Sequence, residues 1–394
     1  MNIAKNEYAL IENSLEKLRK YIEKEEFKGY DPYDTLNSFF KFKYFGKFVS
    51  VLAIQFQKRN PVNIRPVLGI KKNYNPKAIG LFLYSYCILQ KNNPNKDYSK
   101  QIDFLFAYLK DNPSKGFSGY CWGYNFDWAS SGKYIKAYSP NVVVTSFISK
   151  GIFAYYNLTK DAKAFEILKS IGNFILKDLP LTETKEGVCF SYTTLGVDCC
   201  YNASLLAAQT LSQIYSITKE LALLEKIKPA IDFVLSKQFD DGHWNYSIEI
   251  ETGIERKQID FHQGYIIDCI KDILKSTGIS DNKYTIAIEK GTDYYYKEQF
   301  FENGQSKWRL PKIYPVEIHN QSQGIITFCD SEKYKNFATI IAKWTIDNMQ
   351  DKQGYFYYRK LKNYTHKIPY MRWSQAWMFI ALTELVVSLN NKKN

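Results

Sequence analysis

The sequence predicts an all-α chain folded as an (α/α)6 toroid, a ring of six helical hairpins. Three observations carry that expectation. A glycine-aromatic turn recurs at Gly119, Gly187, Gly242, Gly304 and Gly354. After each turn and a polar loop, an apolar helix starts, near Pro140, Cys200, Asp260, Glu317 and Arg372. That is a spacing of roughly 55 to 60 residues, with a sixth start one period upstream at Pro76. Two kinds of helix also alternate. Residues 139–156 are apolar around most of their circumference, as a buried helix is, whereas 160–177 show an apolar stripe between charges, as a half-exposed one does.

Taken in order, Glu7 to Glu25 is a charged amphipathic helix, expected outside the Pro76 helix. Gly29 to Ser38 reads either as Asx-turns with a helix cap or as part of a cavity. Phe39 to Gln57 is aromatic and apolar and is expected to be a packed helix. Pro61 and Pro66 exclude a regular helix from Arg59 to Tyr74. Residues 1–75 are thus expected to complete the ring. The outer helices Asp97–Asp111, Lys160–Leu179, Lys219–Lys237, Asp281–Phe301 and Ser331–Gln350 are each expected to pair with the apolar helix that follows. No Gly/Ser- or Pro-rich linker interrupts the 394 residues, and 45% hydrophobic composition is ample for a large core. One toroidal domain over 1–394 is expected.

The formal net charge of +13 suggests an acidic partner. The lysines are spread along the chain without a nucleic-acid motif, so nucleic acid is not expected. No apolar run approaches the roughly 20 residues of a membrane helix, and the N-terminus is charged where a secretory signal would be apolar. Seven cysteines, an odd number, suggest reduced thiols and a cytoplasmic setting.

In a ring of hairpins, the starts of the inner helices converge on one mouth. They supply Asn141, Asp198, Tyr201, Asn202, Asp260 and His262, then Gln263, Glu317, His319, Asn320, Arg372 and Gln375. The loops add Trp122, Tyr124 and Asp127 from the longest connector, 112–139, and Trp244, Tyr246, Trp308 and Tyr358 from later ones. Each polar residue alone is well explained as a helix cap. Their convergence with aromatic rings favours a site. Flat rings suit sugar C–H faces, and carboxylates and amides suit hydroxyls. Hydrolysis of a glycoside would need two carboxyl groups, available from Asp127, Asp198, Asp260 and Glu317. Proton abstraction beside a uronate carboxylate would use Tyr201, His262 or His319, with Asn320 and Arg372 restraining the carboxylate. Trp122, Tyr124, Asn141, Trp244, Tyr246, Trp308 and Tyr358 are the expected sugar contacts.

The six-hairpin pattern resembles the toroids of glycoside hydrolases, polysaccharide lyases and uronyl epimerases. Gly29-Tyr-Asp-Pro-Tyr-Asp-Thr-Leu-Asn-Ser and Trp122-Gly-Tyr-Asn-Phe-Asp-Trp resemble segments of bacterial proteins that accompany polysaccharide-biosynthesis enzymes. The toroid resemblance implies a carbohydrate-active enzyme, while the bacterial segments give a polysaccharide setting and assign no catalytic residue. With the positive net charge, the expectation is an enzyme without a cofactor acting on an anionic glycan or its lipid-linked precursor. Two others compete. Gln238-x-x-x-Gly242-x-Trp244 resembles the triterpene cyclase repeat, although the Asp-x-Asp-Asp acid of those enzymes is absent. Asp198-x-Cys200 with His262 resembles the zinc ligands of protein prenyltransferases, three donors with an open fourth position. A non-catalytic glycan-binding scaffold is the remaining alternative.

Overall fold

The computed structural model describes residues 5–129 and 134–390. Within them run α1 (Lys5–Lys24), α2 (Gly46–Arg59), α3 (Pro76–Asn92), α4 (Ser99–Asp111), α5 (Val142–Thr159), α6 (Ala162–Lys177) and α7 (Tyr201–Thr218). They are followed by α8 (Leu224–Leu235), α9 (His262–Thr277), α10 (Asn282–Gln299), α11 (Ile318–Cys329), α12 (Lys335–Met349) and α13 (Trp377–Asn390). The helices α3, α5, α7, α9, α11 and α13 pack side by side in that order, and α13 returns against α3. They form a closed inner ring. The outer helices surround it, and one apolar core runs continuously from Ile11 in α1 to Leu389 in α13.

Sequence character separates the two rings. In α5, Val142, Val143, Val144, Phe147, Ile148 and Ile152 are all buried, because the helix has neighbours on every side. In α6, the buried residues Ala164, Ile167, Leu168, Ile171, Phe174 and Ile175 make one stripe, and Lys163, Glu166 and Lys169 face water.

The pairing differs from the expected one. Each outer helix packs chiefly on the inner helix before it: α4 on α3, α6 on α5, α8 on α7, α10 on α9 and α12 on α11. Only Lys160 and Asp161 separate α5 from α6, so these hairpins are tight. The glycine-aromatic turns belong to the long return loops, and all of these end at inner-helix N-termini on one face of the ring. Likewise α1 packs on α12 and α13, not chiefly on α3. It is the outer helix of the sixth hairpin, so the N-terminal segment closes the ring against the C-terminal one.

The recurrent turn is a clamp. Gln238 Nε2 donates to the carbonyls of Gly242 and of Ala287 in α10, both at 3.0 Å. Gln350 Nε2 repeats this with Gly354 (3.0 Å) and with Ser14 in α1 (3.2 Å). The Gln-x-x-x-Gly motif thus ties a return loop to the next outer helix. Gly242 has φ +100°, and a Cβ there would lie 2.3 Å from the Lys290 carbonyl oxygen. Both the left-handed backbone and the close approach require glycine. Gly242→Ala is expected to cost about 2 kcal/mol or more, read as a lower urea midpoint.

Two further features bear on function. Phe39–Gln57 is not packed as expected: α2 starts only at Gly46, and its apolar stripe faces outward. Across the ring's other end, inner-helix side chains form a polar network. Gln209 Nε2 donates to Asp272 (2.6 Å), Lys150 pairs with Asp272 (3.5 Å), and the Tyr84 hydroxyl donates to Glu384. No helix among the described residues is long and apolar enough to cross a membrane.

Candidate active site

A cavity of about 480 Å³ opens where the inner-helix starts and return loops converge. A second repeat shapes it. The amides of Trp122, Phe190, Trp244, Ser306 and Phe356 are each held by a side chain of the following inner helix, or in the last case of the turn that leads into it: Thr145, Ser204, Gln263, Gln321 and Gln375 respectively. Two residues after each clamped amide stands an aromatic: Tyr124, Tyr192, Tyr246, Trp308 and Tyr358. An extended chain returns to the same face after two residues. Four of these rings line the cavity, and Tyr358 is buried behind it. Tyr192 is the member that the sequence reading missed.

Trp122 and Trp244 therefore lie at the expected end of the ring, but not as sugar platforms. Their indole N–H groups donate to the Leu109 (3.2 Å) and Val234 (2.9 Å) carbonyls, and both rings are buried in the helix-end layer. Tyr201 is likewise buried, with its hydroxyl donated to Glu255 (2.8 Å). Asp127 accepts from the Tyr134 hydroxyl (2.5 Å) and the Ala137 amide (2.8 Å), so it braces its own hairpin. Residues 130–133 of that connector lie outside the described residues.

Asn141, Asp198, Asp260, His262, Glu317, Asn320 and Arg372 do line the cavity. Asn141 also caps α5 through Val144 N (2.9 Å), so capping and lining coincide. Asn320 is anchored through the Lys307 and Trp308 carbonyls, at 2.8 and 2.9 Å.

The helix starts decide which neighbours point together. Because α9 begins at His262, Asp260 lies before it, and both side chains reach the cavity. Asp260 Oδ1 sits 2.5 Å from His262 Nδ1, and Oδ2 accepts from Arg309 Nε (3.1 Å) and Gln258 Nε2 (2.9 Å). Burial pushes the Asp260 carboxyl up, but His262 and Arg309 outweigh it and hold it below the ordinary carboxylate range. An ionised Asp260 fixes the proton on Nδ1 and leaves Nε2 for a ligand.

At α11, by contrast, Glu317 and His319 diverge. Glu317 ends a short strand paired in register with Arg359. It accepts from Arg359 Nε (2.7 Å) and from Trp373 Nε1 (2.8 Å), one on each oxygen. His319 lies in the first turn, beneath Phe261, with ring centroids 4.1 Å apart. Its Nε2 meets the Tyr265 hydroxyl at 2.7 Å. Burial, reinforced by Lys77, His262 and Arg372, holds this imidazole well below 6.5 and therefore neutral. It supports the cavity floor and does not line it.

Arg372 meets Asp31 through two donors, Nε to Oδ2 at 2.6 Å and a terminal nitrogen to Oδ1 at 2.8 Å. The segment around Asp31 is both an Asx-turn, with Tyr33 N donating to Asp31 Oδ1 (3.0 Å), and a cavity wall through Tyr33. Three cations on the cavity wall, Lys58, Lys136 and Arg256, form no ion pair among the described residues. Arg256 lies over the Tyr246 ring at 4.9 Å, and Lys58 over Tyr33 at 4.2 Å. Asp198, Cys200 and His262, the set that resembles zinc ligands, also border the cavity. However, Cys200 Sγ donates to Asn202 Oδ1 (3.0 Å), and His262 Nδ1 is taken by Asp260. Burial pushes the Cys200 thiol up to about 12. Among the described residues, no three His, Cys, Asp or Glu side chains are placed to hold a metal ion.

Behind Arg359, His366 is buried between Tyr358 and Tyr370. Burial, then the charges of Arg359 and Arg65, push it from 6.5 down to about 4. A depressed histidine opposes protonation of the native state, so its stability contribution is complete above 6.5 and is lost as pH falls toward 4. His366→Gln is expected to flatten the fall of the urea midpoint over that window.

No family model matches the chain, and no curated protein matches its sequence. Solved structures do match. Cellobiose 2-epimerase from Bacillus thermoamylovorans is 16% identical with a TM-score of 0.62, over 80% of this chain and 90% of that one. A glycoside hydrolase family 76 mannosidase from Bacteroides thetaiotaomicron is 12% identical at TM-score 0.61, over 97% and 100%. A D-mannose isomerase is 10% identical at TM-score 0.61, over 80% and 87%. The chain has the (α/α)6 toroid fold that these proteins share.

Proposed function

We propose that the protein is a carbohydrate-processing enzyme whose chemistry is proton transfer at a sugar carbon beside a carbonyl or carboxylate, of the epimerase, isomerase or lyase type. The observation that carries this reading is the Asp260–His262 pair on the cavity wall. Asp260 holds the imidazole tautomer, and Nε2 takes the proton from carbon. The bonding pair moves onto the adjacent carbonyl oxygen, and the oxyanion gains from the guanidinium groups of Arg256 and Arg309. Imidazolium then returns the proton to the other face of the same carbon once the intermediate has turned, giving the epimer. Alternatively it returns the proton to the neighbouring carbon as the enediol hydroxyl proton passes to the former carbonyl oxygen, giving the isomer. In elimination the intermediate expels a substituent one carbon further on, and imidazolium protonates the departing oxygen. The aromatic rim of Tyr124, Tyr192, Tyr246 and Trp308 suits sugar faces. Lys58, Lys136 and Arg256, which form no ion pair among the described residues, favour an acidic sugar, free or lipid-linked. Seven buried free thiols suit a reducing compartment.

Hydrolysis fits less well. It needs a protonated carboxyl in the cavity, whereas Asp260 is held ionised, both Glu317 oxygens are occupied, and Asp198 Oδ1 already accepts from Tyr192 N at 2.8 Å. The test is turnover of acidic and neutral sugars in deuterated water. Deuterium on the carbon beside the carbonyl, with the acidic sugars preferred, is the expected result. Release of new reducing ends without deuterium uptake would sink this reading in favour of hydrolysis.

A further inference from the structure

The α2 helix is amphipathic the wrong way round. Its protein-facing side is Ser50, Ile54 and Gln57, and both polar side-chain atoms of Gln57 are buried with no hydrogen-bond partner among the described residues. Its outward stripe is Phe48, Leu52 and Phe56, with Phe45 continuing it just before the helix; the four, from Phe45 on, are exposed by 62%, 74%, 51% and 65%. With Phe45 the stripe runs about 16 Å at 1.5 Å per residue. Phe39, Tyr44 and Val67, in the segments before and after α2, are exposed as well. A contiguous apolar surface of this kind marks an interaction site.

Charge indicates what covers it. From Thr35 to Lys96 the sequence contains no Asp or Glu. Lys41, Lys47, Arg59 and Lys71 are exposed around the stripe. A second copy of the chain, meeting the same patch across a two-fold axis, would set these cations against each other with no carboxylate from residues 35–96 to offset them. An anionic bilayer answers both features: the apolar stripe enters the headgroup–acyl boundary, and the flanking cations meet lipid phosphates.

We propose that α2 is an interfacial helix that docks the protein onto an anionic lipid surface. The last turn of α2 carries Lys58, whose side chain also lines the cavity over Tyr33. Docking therefore brings the cavity rim beside the headgroups, where the sugar of a lipid-linked precursor is presented. The docking stands apart from the proton-transfer reading, because its test measures binding alone.

The full chain is spun with vesicles of phosphatidylcholine, or of phosphatidylcholine mixed with phosphatidylglycerol. It is expected to sediment with the mixed vesicles only, and less so as salt rises. Phe48→Ser/Phe56→Ser should weaken this binding about tenfold or more. Both residues are exposed and outside the cavity, so the variant keeps its fold and its turnover of soluble sugar. The proposal is overturned if wild type stays in the supernatant with the mixed vesicles at low salt. It is equally overturned if the variant sediments as well as wild type, or if the wild type without lipid is a dimer that the variant dissociates.

Discussion

His262→Gln is expected to lower turnover about 10²- to 10⁴-fold, the range for loss of a positioned general base, with an unchanged urea midpoint. The ring sits at the cavity wall, partly exposed, so glutamine can occupy the space without a buried void. Deuterium uptake into the sugar should fall in the same proportion. Asp260→Asn tests the partner differently. An amide can still hydrogen-bond Nδ1, but it no longer favours the tautomer with Nε2 free, nor stabilises imidazolium. It should cut kcat with little change in KM, while Arg309 loses its carboxylate. Wild-type turnover in either variant would move the base elsewhere in the cavity.

Much of the ring was legible because its signals are local. A helix buried on all sides and a helix buried on one stripe differ in composition, and the inner starts fall within two residues of their expected positions, apart from the last. There a π-helical turn, Met371–Ala376, precedes α13 and carries Arg372 into the cavity. The hairpin phase was not legible from turns alone. A glycine-aromatic turn marks a close backbone approach, and only coordinates show that the neighbour is the next outer helix. For α1 that neighbour is more than 300 residues away in sequence, as the Gln350–Ser14 hydrogen bond shows.

The candidate site was legible in part for the same reason. Asp260 and His262 stand at a helix start, where sequence spacing predicts convergence. Arg309 and Arg359 were missed, yet each lies five residues after its turn glycine, Gly304 and Gly354, next to Trp308 and Tyr358. Aligning the return loops residue by residue would have found both, and Tyr192 as well. Trp122, Trp244 and Tyr358 were assigned to the sugar because period-two alternation does not say which face of an extended segment meets the core. The exposed stripe of α2 had no signal of its own. An apolar helix is expected to be buried, and only its surroundings show otherwise.

Asp31→Ala is expected to destabilise the fold by about 3–5 kcal/mol, the cost of leaving one member of a buried ion pair without its partner. The two side chains are 6% and 2% exposed, so solvent screens the pair little. Burial works against the Arg372 charge, and Asp31 more than restores it, so Arg372 would stay charged and lose both of its strongest acceptors. The pair also joins the two ends of the chain. The Tyr30 carbonyl accepts from Met371 N at 3.1 Å, and Arg372 lies over the Tyr124 and Trp373 rings at 4.7 and 4.9 Å. Trp373 in turn donates to Glu317. Arg372 is therefore expected to position the cavity wall first, and to offer an anionic sugar only the donors that Asp31 leaves. Asp31→Leu/Arg372→Met should recover much of the midpoint lost in Asp31→Ala, since a packed apolar pair removes the uncompensated charge. Turnover should stay low, because Trp373 and Tyr124 lose the guanidinium between them. A wild-type midpoint in Asp31→Ala, with a raised KM for acidic sugars in Arg372→Lys, would instead make Arg372 a substrate-binding residue whose contact with Asp31 is incidental.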